Sequence, residues 1–394
     1  MTAPGALQRR LGLADAVVIG LGSMLGTGVF VVWSPAAERA GRWLLVALGV
    51  AAVVAYCNAT STAQLAAVHP ESGGAYVYGR LRLGRWWGTL AGTAFVIGKT
   101  ASCAAAALAI GLYAWPGHAR WVAAAVVLVA TAINLVGIAR TAGVTRVLVG
   151  IVLAVLAAAV ATALVVHDGS SGTLRESVST GVGPISVLAA AAVLFFAFAG
   201  YARVATLGAE VRDPARTIPL AVVIALAVVL VVYLAVGLTL LATLGVAGLV
   251  GTTTPLSAAV DGVGVIEPLV RVGAALAAFA VLLPLLAGVS RTVLAMATYG
   301  DLPPALAAVS SRHSVPLRAQ VAVTVAVLLV VLTGGLVSAV AVSAGAVLVY
   351  YAIANAASLK LTAEERRWPR MLAIVGLLGC VTLAVSLFTD SVSV

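Results

Sequence analysis

The segment Gly20-Leu-Gly22-Ser-Met-Leu-Gly26-Thr-Gly28-Val-Phe30 lies inside an apolar run over residues 11–38. Such a run is long enough to cross a bilayer as a helix, but each glycine in a helix costs about 1 kcal/mol relative to alanine. An unwound segment frees backbone N–H and C=O groups that lipid cannot satisfy, so it persists only where it faces a cavity or a polar ligand. We therefore predict a membrane span that is broken at this segment, with a binding site at the break.

The composition of the whole chain supports a membrane location. Of 394 residues, 62% are hydrophobic and 9% are charged, whereas soluble domains carry about 25% charged residues. The formal charge of +10 comes from basic residues in short loops, so no nucleic acid partner is expected. The three cysteines form no CxxC pair and the four histidines form no HExxH motif, so no metal site and no cofactor are predicted.

A helix needs about 20 predominantly apolar residues to cross the hydrocarbon core. Eleven runs meet this requirement, and the chain is predicted to be an all-α integral membrane protein, a single polytopic membrane domain over 1–394. We number these runs as spans 1 to 11 in chain order: 11–38, 43–66, 86–113, 119–138, 143–166, 183–209, 219–244, 266–292, 318–336, 337–359 and 370–389.

The basic residues predict the orientation of the spans. With the N-terminus inside, the inner loops hold 16 of the 23 Lys and Arg residues and the outer side holds 5, while Lys99 and Arg203 fall within spans. Inner loops of membrane proteins are enriched in basic residues. We therefore expect a multi-pass protein of the plasma membrane with a cytoplasmic N-terminus and, because the number of spans is odd, an external C-terminus.

A second candidate break lies five spans later, in Phe195-Phe-Ala-Phe-Ala-Gly200-Tyr201 of span 6. Broken helices at matching positions of two halves indicate a transporter built from inverted repeats. The predicted repeats cover about 11–166 and 183–359, followed by an extra helix over 370–389. An alternative for the first break alone is that Gly22-x-x-x-Gly26 is a helix-packing face.

Four segments carry a resemblance to a known family. They are Gly22–Phe30, Pro70–Tyr78, Phe195–Gly200 with Glu210–Pro219, and Ser290–Pro303. In this order they resemble the amino acid permeases of the amino acid–polyamine–organocation (APC) superfamily. The resemblance implies a five-plus-five inverted repeat with broken helices 1 and 6, followed by further spans. Family members usually have twelve spans, whereas this chain has eleven predicted ones.

The resemblance also implies where a substrate binds. Its carboxylate would meet the backbone N–H groups of Gly26, Thr27 and Gly28, together with the Thr27 hydroxyl. Its amino group would meet the carbonyl groups of Met24 and Ala199, close to Gly200. Phe196 aligns with an aromatic gate, although it could equally be an ordinary lipid-facing or core residue. With Lys99, the candidate substrate-binding residues are Met24, Gly26, Thr27, Gly28, Lys99, Phe196, Ala199 and Gly200.

Lys99 is the candidate coupling residue. It lies 13 residues from Trp86 and 14 from Tyr113, too deep in span 3 for its side chain to reach either surface. An ionisable group at that depth is a functional hypothesis by default. It could exchange a proton during transport, hold an anionic substrate group, or be a lysine satisfied by structural carbonyls. With Arg203, it argues against organic dications as substrates.

The sequence thus predicts a secondary active transporter of amino acids that works by alternating access, either coupled to protons or as an exchanger. Two alternatives stay open: an exporter or exchanger of other small amines or zwitterions, and a transport-inactive sensor or channel of the same fold. An enzyme is not expected, because no histidine lies in mid-span to pair with Ser23, Ser102 or Ser290. The expected partners are an amino acid, the lipid bilayer and protons.

Overall fold

The computed structural model describes residues 11–69, 73–136, 142–166, 182–205, 207, 211–310 and 315–392. Within these ranges the chain forms helices joined by loops, and its one β-type pairing is an isolated bridge between Leu11 and Val211. The α-helices are Leu13–Met24, Gly28–Val31, Trp33–Ala40, Leu44–Val68, Ala75–Arg82, Arg85–Ala114, Ala119–Val136, Ala142–Val166, Pro184–Phe198, Ala202–Ala205, Pro214–Thr243, Gly245–Val250, Pro255–Ala258, Ile266–Thr298, Leu317–Thr333, Leu336–Leu359 and Arg370–Val392.

Ten helical segments in the described ranges are long and apolar enough to cross a membrane. They correspond to spans 1–8, 10 and 11. Span 9 is the shorter apolar helix Leu317–Thr333, whose 17 residues reach about 25 Å at ~1.5 Å per residue. The prediction of an all-α membrane protein is therefore confirmed, with ten long spans and one short apolar helix where eleven spans were expected.

The helices break where the two glycine-containing segments predicted. In span 1 the helix ends at Met24 and resumes at Gly28. In span 6 the α-helix ends at Phe198, continues as a single 3₁₀ turn over Ala199–Tyr201, and resumes at Ala202. Breaks in spans 1 and 6 are those expected of a five-plus-five inverted repeat. The bounds of the two repeats stay a prediction.

Span 3 lies at the centre of the bundle and is the most buried of the ten long segments, whereas span 4 is the least buried. Span 3 packs most extensively against spans 8 and 10. Small residues allow the close approach to span 10: a Cβ built on Gly98 would lie 2.8 Å from Cγ2 of Val347. This packing places Lys99, the next residue, in the interior of the molecule.

Several sequence features fall partly outside the described residues. These are residues 70–72 of the segment Pro70–Tyr78, and residues 208–210, which end span 6 and begin the segment Glu210–Pro219. Just after the last of these gaps, the Arg212 N–H donates a 2.9 Å hydrogen bond to the Leu11 carbonyl. The loop that follows span 6 is therefore attached to the start of span 1.

Candidate functional site

The break in span 1 leaves polar groups without partners. Gly26 and Thr27 lie between the two helical halves, and their N–H groups make no backbone hydrogen bond to any described residue. The Thr27 side chain is only 4% exposed, and its hydroxyl oxygen has no hydrogen-bond partner among the described residues. A buried polar group without a partner is costly. This set of donors has the chemistry that a carboxylate requires.

The two breaks touch each other through glycines. A Cβ built on Gly200 would lie 2.3 Å from the Ser23 carbonyl oxygen. A Cβ built on Gly28 would lie 2.6 Å from the Cα of Ala197. Real Cβ atoms do not approach other atoms so closely, so a glycine is required at both positions. The two glycines let the backbones of spans 1 and 6 meet directly at the site.

Gly26 faces a third element. A Cβ at this position would lie 2.2 Å from Cγ2 of Val281 in span 8. The glycines of span 1 therefore serve helix packing as well as the break, so the packing alternative for Gly22-x-x-x-Gly26 and the predicted break are both present in one segment. Span 8 forms one wall beside the break.

Both carbonyl groups that were expected to hold a substrate amino group already accept hydrogen bonds from the protein. The Tyr233 hydroxyl lies 2.7 Å from the Met24 oxygen and 3.0 Å from the Ala197 oxygen. The Ala199 oxygen accepts from the Tyr351 hydroxyl at 3.2 Å and from Lys99 Nζ at 3.4 Å. Each of these two carbonyl groups thus already has a protein donor, whereas the Gly26 and Thr27 donors of span 1 have no partner among the described residues.

Lys99 lies beside the break in span 6, and its part in substrate binding or coupling stays a prediction. Its side chain is 8% exposed, and its amine reaches across from span 3 to the 3₁₀ turn of span 6. No described carboxylate lies within ion-pair distance of the amine, and the buried Cys103 lies one helical turn further along span 3. Lys99 is therefore a buried basic residue beside the break in span 6.

The aromatic residues of the site differ from the predicted one. Phe196 is only partly buried, and the ring contacts among the described residues involve its neighbours instead. Phe195 packs edge-on against Tyr351, and Phe198 packs edge-on against Tyr233. The contact of Phe196 with a substrate stays a prediction. Tyr233 and Tyr351 were missed, although a tyrosine within an apolar span usually needs a partner for its hydroxyl.

Two further residues of span 6, Ala202 and Arg203, lie just after the 3₁₀ turn that the Lys99 amine contacts. Ala202 is buried, and Arg203 is exposed. The side chain of Arg203 therefore lies in a different environment from the buried Lys99. Lys99 contacts the Ala199 carbonyl at the break in span 6, so it is the basic residue that argues most directly against dications.

A network of charges joins two segments on the inner side predicted from the basic loops. The Asp301 carboxylate accepts from Arg80 at 2.5 Å, from Tyr76 at 2.8 Å and from Arg85 at 3.1 Å. Burial of Asp301 raises its pKa, but these hydrogen bonds and the nearby arginines outweigh burial and hold the pKa below its usual range. Burial, with the bond to Asp301, raises the pKa of Tyr76 to about 12.

A second ion pair lies in the loop before span 11. Arg82 donates to both carboxylate oxygens of Glu365, at 2.6 and 3.0 Å, and this pairing lowers the Glu365 pKa to about 2. The short helix Ala75–Arg82 is thus attached to the end of span 8 through Asp301 and to the loop before span 11 through Glu365. It also packs against the helices of spans 3 and 10.

Comparison with known proteins identifies the family. The family model described as "Amino acid permease" matches residues 11–393. An uncharacterized transporter of Mycobacterium tuberculosis is 53% identical over 99% of this chain and 89% of its own length.

More distant relatives have named substrates. A branched-chain amino acid permease of Bacillus subtilis is 26% identical over 79% of this chain and 72% of its own length. A vacuolar cationic amino acid transporter of Arabidopsis thaliana is 29% identical over 82% of this chain and 58% of its own length. The match over nearly the whole chain, with the broken spans 1 and 6, shows that this protein belongs to the amino acid permease family of membrane transporters.

Proposed function

We propose that this protein is a secondary active transporter that carries amino acids across the plasma membrane by alternating access. The observation that carries the proposal is the set of unpartnered donors at Gly26 and Thr27, placed at the contact between two broken spans. An amino acid carboxylate would satisfy these donors, and the N-terminal end of a half-helix favours negative charge. The named relatives support amino acids as the substrate class.

Lys99 is the proposed coupling residue, with protons as the candidate coupling ion. A fixed positive charge that holds an anionic group of the substrate is the competing role. Lys99→Met separates the two, because loss of coupling leaves exchange that no longer depends on pH, whereas loss of recognition abolishes binding at every pH. Wild-type activity with an unchanged pH profile in this variant would contradict both roles.

A counterflow experiment tests the transport function itself. Purified protein is reconstituted into proteoliposomes that contain unlabelled L-leucine, L-arginine or L-glutamate, and labelled amino acid is added outside. A carrier accumulates label transiently in exchange for the internal amino acid, whereas a channel or a transport-inactive sensor does not. Accumulation of other amines or zwitterions, with none of the amino acids, would favour the alternative substrate class. No enzymatic reaction is proposed.

A further inference from the structure

The amine of Lys99 lies where the substrate amino group was expected. The carbonyl of Ala199 ends the first half of span 6, and it accepts hydrogen bonds from Lys99 Nζ and from the Tyr351 hydroxyl. A carbonyl oxygen has two lone pairs, so these two donors fill it. The Met24 carbonyl accepts one hydrogen bond, from the Tyr233 hydroxyl. An arriving amino acid therefore finds donors free for its carboxylate, whereas the Ala199 carbonyl expected to accept from its ammonium group already has both of its donors.

We propose that the Lys99 ammonium group occupies the substrate ammonium subsite of the empty carrier, and that a bound amino acid displaces it while Lys99 releases one proton. This inference rests on the proposed function of amino acid transport. In the step, one N–H bond of the Lys99 ammonium breaks, its electron pair stays on the nitrogen, and the proton leaves to water. The substrate ammonium then donates to the Ala199 carbonyl, and Lys99 remains as a neutral amine.

The surroundings of Lys99 explain why the proton must leave. Two ammonium groups close to one carbonyl repel each other strongly at the low dielectric of a buried site. The titratable side chains around this region include Cys103 on span 3, Tyr351 on span 10, which donates to the same carbonyl, and Tyr201 in the 3₁₀ turn, whose ring packs against Tyr351. All are acids that are neutral in their protonated form, and no described carboxylate pairs with Lys99. Nothing in the described site can therefore balance a second positive charge.

The charge balance gives transport a direction. The empty carrier holds one positive charge on Lys99, and the loaded carrier holds a neutral lysine and a zwitterion without net charge. Each amino acid that crosses in one direction is therefore exchanged for one proton that crosses in the other. Because the proton gradient of a cell is directed inward, this stoichiometry drives amino acids out, and we infer an amino acid exporter that works as a proton antiporter.

The first experiment measures protons and binding together. L-Leucine, L-arginine and L-glutamate are titrated into the purified protein by calorimetry in buffers of different ionisation enthalpy, with the 2-hydroxy analogue of leucine as the amine-free control. We expect one proton released for each bound amino acid, none for the hydroxy acid, and an affinity that rises about tenfold per pH unit while the free Lys99 is protonated. Binding without proton release overturns the inference and leaves the proposed function standing. Binding by no amino acid overturns the proposed function and the inference with it.

Variants of Lys99 test whether the proton released on substrate binding comes from this residue. Lys99→Met and Lys99→Arg should each bind L-leucine without releasing a proton, the arginine variant more weakly because its charge cannot be lost. Lys360→Met is the matched control, since it makes the same substitution at an exposed lysine after span 10 and should retain one proton per bound amino acid. Wild-type proton release from either Lys99 variant that elutes as a folded protein overturns the inference.

The second experiment tests direction. Proteoliposomes are loaded with labelled L-leucine, and the outside medium is acidified. Antiport predicts faster efflux of label than from vesicles at equal pH, and the Lys99→Met variant should lose this acceleration. Accumulation of external leucine driven by the same gradient would show symport and overturn the inferred export.

Discussion

Gly200 lies directly against the backbone of Ser23, so that a Cβ at position 200 would come within 2.3 Å of the Ser23 carbonyl oxygen. This contact joins the break in span 6 to the end of the first half-helix of span 1. Neither break is thus an isolated irregularity, because each is shaped by the backbone of the other. Any movement of span 1 relative to span 6 would change this contact.

Gly200→Ala should therefore displace the two spans. Overpacking of a close contact costs about 1–3 kcal/mol, so we expect a lower melting temperature in detergent and a large loss of amino acid counterflow. Gly49→Ala is the matched control, because Gly49 lies in span 2 with no atom within 4 Å of a Cβ at that position. Equal transport by the Gly200 and Gly49 variants would contradict the close contact of the breaks.

Thr27→Val should weaken substrate binding without weakening the fold. The Thr27 hydroxyl has no partner among the described residues, so its removal relieves an unsatisfied group rather than breaking a bond. A hydrogen bond to a charged group contributes about 1.5–3 kcal/mol, so affinity for the amino acid should fall by roughly 10- to 100-fold. Binding is measured by calorimetry and stability by thermal unfolding. Unchanged affinity would place the carboxylate elsewhere.

Asp301→Asn should weaken the attachment of the helix Ala75–Arg82 to the end of span 8 and so lower the stability of the protein. The Asp301 side chain is 1% exposed and pairs with Arg80 and Arg85, but the Arg85 side chain is 66% exposed and its contribution is screened by water. We expect a decrease in the free energy of unfolding of about 1–3 kcal/mol. Asp261→Asn, in an exposed loop position, serves as the control and should unfold like wild type.

The acid sensitivity of the protein should follow from the same ion pairs. The folded pKa of Asp301 is lowered, and that of Glu365 is lowered to about 2. A lowered folded pKa contributes stability that is present above the unfolded value of about 4 and is lost as pH falls towards the folded value. Glu365→Gln should therefore reduce the melting temperature near neutral pH and flatten its decline in acid. The same acid decline in the variant and in wild type would assign it to other groups.

The predicted topology can be tested with reporters fused to the C-terminus. Sixteen basic residues on the inner loops against five outside, together with eleven spans, predict a cytoplasmic N-terminus and an external C-terminus. A reporter that is active only outside the cytoplasm should therefore be active at the C-terminus. Activity of a cytoplasmic reporter at that position would contradict the count of spans or the orientation.

Local features of the sequence predicted much of this architecture. The apolar runs predicted the spans because hydrophobic length is a property of consecutive residues, and glycines between apolar residues predicted where spans 1 and 6 break. The depth of Lys99 in span 3 could be counted along the helix, and the structure places it in the interior. Unpaired donors at Gly26 and Thr27 follow from the same break.

Which side chains donate to the Ala199 carbonyl was decided by the tertiary structure alone. Lys99 and Ala199 are separated by 100 positions, and Tyr351 is 152 positions from the same carbonyl. Which donor reaches a freed carbonyl depends on how helices pack and rotate, and local sequence carries little information about either. For this reason the sequence could identify Lys99 as a buried charge, whereas the three-dimensional packing decided that its amine fills the acceptor expected for the substrate.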